Sequence, residues 1–121
     1  MFYKLINNIK IALIYKKTLI RLKLNKNEIN LIRILIKLNL IKFIKKNNDK
    51  FDIIINHTNN FKNVKNLYRP GQKISISKNE LQKITVKKKL ILVLSTNKGL
   101  LTNFEALKKN TSGFLIMKIS N

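Results

Sequence analysis

Five consecutive residues, Ser95-Thr96-Asn97-Lys98-Gly99, combine two hydroxyls, an amide, an ammonium group and a glycine that bares backbone. From a small area this set can donate and accept hydrogen bonds, which suits sugar edges, base edges or phosphate. An ordinary polar turn could have the same composition. The footing of the stretch sets it apart. It follows Leu90-Ile91-Leu92-Val93-Leu94, an unbroken hydrocarbon run with the length and composition of a strand buried on both faces. Soon after it, Thr102-Asn103-Phe104-Glu105 reads as a capping box that opens a short helix. The five residues are therefore expected to join a buried strand to a helix N-terminus.

No other group of side chains offers comparable chemistry. Cysteine is absent, which removes disulfides, thiolate nucleophiles and sulfur-ligated metals. His57 is the only histidine and sits among Asn, Thr and Lys, as a surface or strand-end residue would. The carboxylates Glu28, Asp49, Asp52, Glu80 and Glu105 are scattered, and three of them fall where helix caps need them. None is paired for acid–base work, and no Walker or Rossmann loop occurs. The expectation is a protein that is not an enzyme, with no metal, no cofactor and no small-molecule substrate.

The charge balance points to a polyanion. Lys and Arg number 26 against five Asp and Glu, a formal net charge of +21 on 121 residues. A folded surface with that excess repels itself unless it lies against negative charge. Phosphates of nucleic acid are the first partner to consider, and an anionic membrane surface is the competitor. No segment has the one-sided Lys/aromatic pattern of an interfacial helix, and the apolar runs are too short for a span. Nucleic acid is favoured. Lys, Asn and Ile make up about half the chain, the mark of an A+T-rich genome such as an organelle's. That bias inflates Lys but does not explain the scarcity of acids. The N-terminus carries neither arginine nor a cleavage signal, so a product made inside its own organelle is expected.

The elements that must position the stretch can be read in order. Phe2 to Tyr15 has a helical stripe of Phe2, Leu5, Ile6, Ile9, Ala12 and Leu13. Thr18 to Leu24 alternates as a strand. Asn25 to Glu28 is a capping box for a largely buried helix reaching about Leu38, with Asn39 as a left-handed stop. Leu40–Lys46 and Phe51–Asn56 form a hairpin, and the Asn-rich segment 56–66 is weakly patterned. Tyr68-Arg69-Pro70-Gly71 supplies a type II turn between two lobes. Lys73 to Ser77 alternates as a strand, and Ser77 to Glu80 caps a single helical turn that carries Leu81 and Ile84 inward. Lys87-Lys88-Lys89 is a charge run, either a solvated loop or a direct phosphate contact. A helix from Asn103 to Lys109 and a strand, Phe114 to Ile119, that is covered or docks one face on a neighbour complete the chain. The fold class is α+β. An N-terminal α/β lobe, 1–66, runs helix-strand-helix-strand-strand, and a mainly β lobe, 67–121, has an antiparallel sheet with short helices.

With these motifs in place, the C-terminal half resembles the small ribosomal subunit protein eight family, in its bacterial and organellar form. The motifs are Tyr68-Arg69-Pro70-Gly71, Lys78-Asn79-Glu80-Leu81, the strand Leu90 to Leu94, Ser95 to Gly99, Leu101 to Ala106 and Ser112-Gly113-Phe114. Their order and spacing agree over about residues 64–120, while residues 1–63 agree in pattern only. The resemblance implies a two-lobe fold that binds rRNA in the central domain of the small subunit and lies beside other small-subunit proteins. It also implies that the 95–99 turn and the glycines before the last strand meet a distorted RNA helix on its minor-groove side. Hydroxyls, bare backbone and one Lys suit such a target. The candidate RNA-binding set is Ser95, Thr96, Asn97, Lys98, Gly99, Arg69, Lys73, Ser112 and Gly113, with Arg69 either structural or phosphate-binding. Three departures stand out: Asn97 in place of a serine, Ser112 in place of a glycine, and Phe114 in place of a glutamate. The expected role is a structural constituent of an organellar, mitochondrial ribosome, with the plastid as alternative. A free-standing RNA-binding regulator and a membrane-surface protein are the rivals.

Overall fold

The computed structural model describes residues 2–57, 63–68, 74–87 and 90–120, which fall into two compact units, Met1–Asn63 and Val64–Ser120. The expected Pro70-Gly71 turn, together with Arg69 and Lys73, lies outside the described residues. The described residues form four helices and seven strands, the strands lying in two antiparallel sheets, as an α+β chain should.

The first unit opens with helix α1 (Phe2–Ile14), whose stripe places Leu5, Ile6, Ile9 and Ala12 in the core without exposure. Strand β1 (Leu19–Leu22) leads to α2 (Lys26–Lys37). The cap of α2 is reciprocal, because Glu28 N–H donates to Asn25 Oδ1 at 2.9 Å and Asn25 N–H donates to Glu28 Oε1 at 3.2 Å. At its far end Asn39 takes φ +63°, which stops the helix and turns the chain into a hairpin. That hairpin pairs β2 (Ile41–Asn47) with β3 (Lys50–Ile55), and β3 is central in the order β1-β3-β2. Alternation puts Ile53 and Ile55 in the core, while α1 packs on β1 and β3 and α2 packs on β2. His57 follows β3, where Nε2 meets the Lys17 carbonyl oxygen.

The second unit is a four-stranded sheet in the order β4-β7-β5-β6. Its strands are β4 (Asn63–Asn66), β5 (Ile91–Thr96), β6 (Gly99–Thr102) and β7 (Phe114–Ser120), accompanied by α3 (Lys78–Lys87) and α4 (Asn103–Lys108). Both central strands are paired along each edge, and Ile91 to Leu94 of β5 and Ile116, Met117 and Ile119 of β7 are buried although alternation divides them between the two faces. The core of Ile76, Leu81, Leu92, Leu94, Leu101 and Ala106 joins one sheet face to the two helices.

Four expectations change. The 95–99 stretch does not lead straight into a helix. Ser95 and Thr96 end β5, Asn97 and Lys98 turn, and Gly99 begins β6, so the stretch is the tip of a β-hairpin whose second strand precedes α4. Helix α3 has ten residues rather than one turn, and it takes in Lys87 from the expected charge run. Residues 74–77 contribute only a single bridge, Ser75 to Phe114. The weakly patterned segment ends in a strand, β4, with Val64 buried.

Candidate nucleic-acid interface

The hairpin tip forms one wall of an open hollow of about 770 Å³, and the α4–β7 loop with the start of β7 forms the other. Ser95, Thr96, Asn97 and Lys98 face Ser112 and Gly113 across it, so most of the expected set converges although the two stretches are well separated in sequence. Gly99 lies just past the turn, in β6. Lys78, Asn110, Thr111 and Phe114 also line the hollow but were not in the expected set. Only the first turn of α3 and the backbone pairing bring them there, so spacing along the chain carried no signal for them.

Each wall is shaped by its own chemistry. Gly99 has φ +102°, whereas neither Asn97 nor Lys98 has a positive φ, so a left-handed glycine closes the turn. The Thr96 hydroxyl works inside the tip: it donates to Gly99 O at 2.8 Å and accepts from Lys98 N–H at 3.1 Å. Ser112 is also committed inward, its hydroxyl donating to the Ile76 carbonyl. Thr96 and Ser112 therefore build the walls. Ser95, Asn97 and Lys98 complete the lining on the hairpin side.

Three contacts hold the walls together. The Thr111 hydroxyl donates to Asn97 Oδ1 at 3.2 Å, which leaves the Asn97 amide protons for a ligand. The Lys98 ammonium reaches Lys109 O at 3.3 Å, where the carbonyl end of α4 attracts a cation. An ammonium has three protons, so Lys98 can hold this carbonyl and a phosphate together. At the base, Ser95 pairs with Phe114, and Gly113 sits so close that an added Cβ would fall 2.8 Å from the Ser95 carbonyl carbon. Phe114 is 41% exposed at the edge of the hollow, an aromatic ring where the resemblance would place a carboxylate.

This division of labour is testable. Thr96→Val keeps the shape and removes both bonds, so it should cost the second unit about 1–2 kcal/mol in denaturant unfolding. Ser95→Ala should change stability by less than about 0.5 kcal/mol. Equal losses would contradict the assignment of Thr96 to the wall.

The hollow offers the Asn97 amide protons and the Lys98 ammonium group at the end of the sheet. Among the described residues, no group of three or more His, Asp or Glu is placed to hold a metal, and no helix is long and apolar enough to cross a membrane. A family model described as "Ribosomal protein S8" matches residues 3–120. No curated protein matches the chain.

Proposed function

The chain belongs to the ribosomal protein S8 family and is a structural, rRNA-binding constituent of the small ribosomal subunit; we propose that it grips central-domain rRNA through the hollow between Ser95–Gly99 and Ser112–Gly113. The convergence of Ser95, Asn97 and Lys98 with the Gly113 wall is the observation that carries this reading. The mixture of donors and acceptors suits 2′-hydroxyls, phosphates and base edges of a distorted RNA helix better than a bare charge patch would. Arg69, structural or phosphate-binding, and Lys73 complete the set on sequence grounds alone.

Direct titration against a central-domain rRNA fragment tests the site. Ser95→Ala/Lys98→Ala should weaken binding about 10- to 100-fold, since specific contacts are worth roughly 1–3 kcal/mol. Lys37→Ala/Lys83→Ala removes two exposed lysines that do not line the hollow. It should weaken binding less than about fivefold, acting mainly through the salt slope. Equal losses would reduce the protein to a generic polycation.

The ribosome in question is read as organellar and mitochondrial, on the strength of the Lys/Asn/Ile composition and of motifs that depart from the bacterial pattern. Sedimentation of mitochondrial extract checks this: the native protein should travel with the small subunit. A soluble pool would instead favour a free-standing regulator.

A further inference from the structure

The first unit contains none of the hollow's residues, yet residues 1–63 hold 14 of the 26 lysines and arginines and three of the five acids, a net charge of about +11. Half of the chain's positive excess is therefore unexplained by the hollow. The sheet of this unit presents one face to α1 and α2; among the described residues of the unit no helix packs on the other, and the pairing defines what that face carries. Leu19 pairs with Ile54 and Ile54 with Phe43, so these three side chains form a row across all three strands. Beside it runs a second row, Arg21, Asp52 and Lys45. Leu19 is 47% exposed and Phe43 52% exposed.

We propose that this sheet face is a second RNA contact, in which Phe43 stacks on an unpaired base while Arg21 and Lys45 hold the flanking phosphates. Lys45 lies two residues along the same face from Phe43, and Lys42 precedes Phe43 at the register shift; both are exposed. Protein–protein interface cores exclude lysine, whereas an aromatic ring set in a basic surface is the recurring arrangement for single-stranded nucleic acid. Lysines alone would be explained by protection of an edge strand, which β2 is. A half-exposed Phe among them works against that purpose and needs its own account. The Asp52 carboxylate binds Arg21 Nε at 2.7 Å, fixing the guanidinium against the sheet with its other N–H groups available.

The test uses the full chain and a fluorescent single-stranded adenine 12-mer over a salt series, in a Ser95→Ala/Lys98→Ala background so that failure of the hollow cannot imitate failure here. Phe43→Ala and Phe43→Leu should each lose about 5- to 20-fold in affinity with the salt slope unchanged, and Phe43→Tyr should stay within about twofold of the parent. Lys45→Ala should reduce the slope by about one. An unchanged affinity for Phe43→Ala, or full rescue by Leu, overturns the proposal. So does loss of a protein neighbour from assembled subunits without any change in RNA affinity, which would give the face to a protein.

Discussion

Asn103→Ala is expected to lower the unfolding free energy of the second unit by about 3 kcal/mol, although Asn103 lies at the first turn of a short helix and makes no contact with the hollow. The reason is a gap in the sheet. Strand β6 ends at Thr102, opposite Val93, so beyond that point β5 has lost its neighbour on that side. The buried Asn103 amide takes the place of the missing peptide. Its Oδ1 accepts from Leu92 N–H at 3.3 Å, and its Nδ2 donates to Leu90 O at 2.8 Å and to Thr85 Oγ1 at 2.9 Å. The Thr85 hydroxyl in turn donates a hydrogen bond to Leu81 O, so the Asn103 side chain ties β5, α3 and α4 together. Alanine would leave a backbone donor and a backbone acceptor unpaired beside the core, at about 1–3 kcal/mol each before any relief from entering water. Denaturant unfolding of the full chain checks the value, and hydrogen exchange at the Leu92 amide should quicken. Phe104→Ala, next in sequence but 50% exposed, should cost less than about 0.5 kcal/mol. A loss below about 1 kcal/mol for Asn103→Ala would mean that water replaces the amide without penalty.

Features carried by local chemistry were legible in the sequence. Asn25 with Glu28 marks the start of α2 and Asn39 its end, because a cap is decided within four residues. The stripe of α1 and the hydrocarbon of β5 announce themselves through periodicity and composition. Features decided by pairing were not. In β4, the sequence Asn-Val-Lys-Asn has one apolar residue, and its strand character comes from lying beside β7. Strand β6 has four residues and no Asn-Gly signature, since its turn is closed by a glycine after the two central residues rather than within them. That is why the hairpin read as a turn into a helix. The same limit applies to the hollow. Residue types identified Ser95, Asn97 and Lys98, but nothing along the chain could tell that the Thr96 and Ser112 hydroxyls are used inward, or that Asn110 and Thr111 close the far side.

Gly113→Ala should damage stability and RNA binding together, because Gly113 is where the two walls touch. An added Cβ would lie on the Ser95 carbonyl, 2.8 Å from its carbon and 3.0 Å from Thr96 Cα. All of these are backbone atoms of the central strand, so no side chain can rotate away to make room. Nor can Gly113 retreat freely. Its carbonyl accepts from Ile76 N–H at 3.2 Å, Ser112 is bonded to the Ile76 carbonyl, and Phe114 pairs with Ser95 on one side and Ser75 on the other. One of these attachments must give, at a cost of about 2–3 kcal/mol in unfolding experiments. Whichever gives, the loop that carries Thr111 moves away from Asn97, and the hollow widens. RNA affinity should then fall about tenfold or more, even though the substitution removes no donor or acceptor. Gly99→Ala provides the contrast: nothing lies within 4 Å of a Cβ there, so its cost is confined to the unfavourable φ of +102° at the tip, about 1–2 kcal/mol. If Gly113→Ala folded with parental stability and bound the rRNA fragment as tightly as the parent, the close approach of the two walls would not be what shapes the site, and recognition would have to reside in the hairpin tip alone.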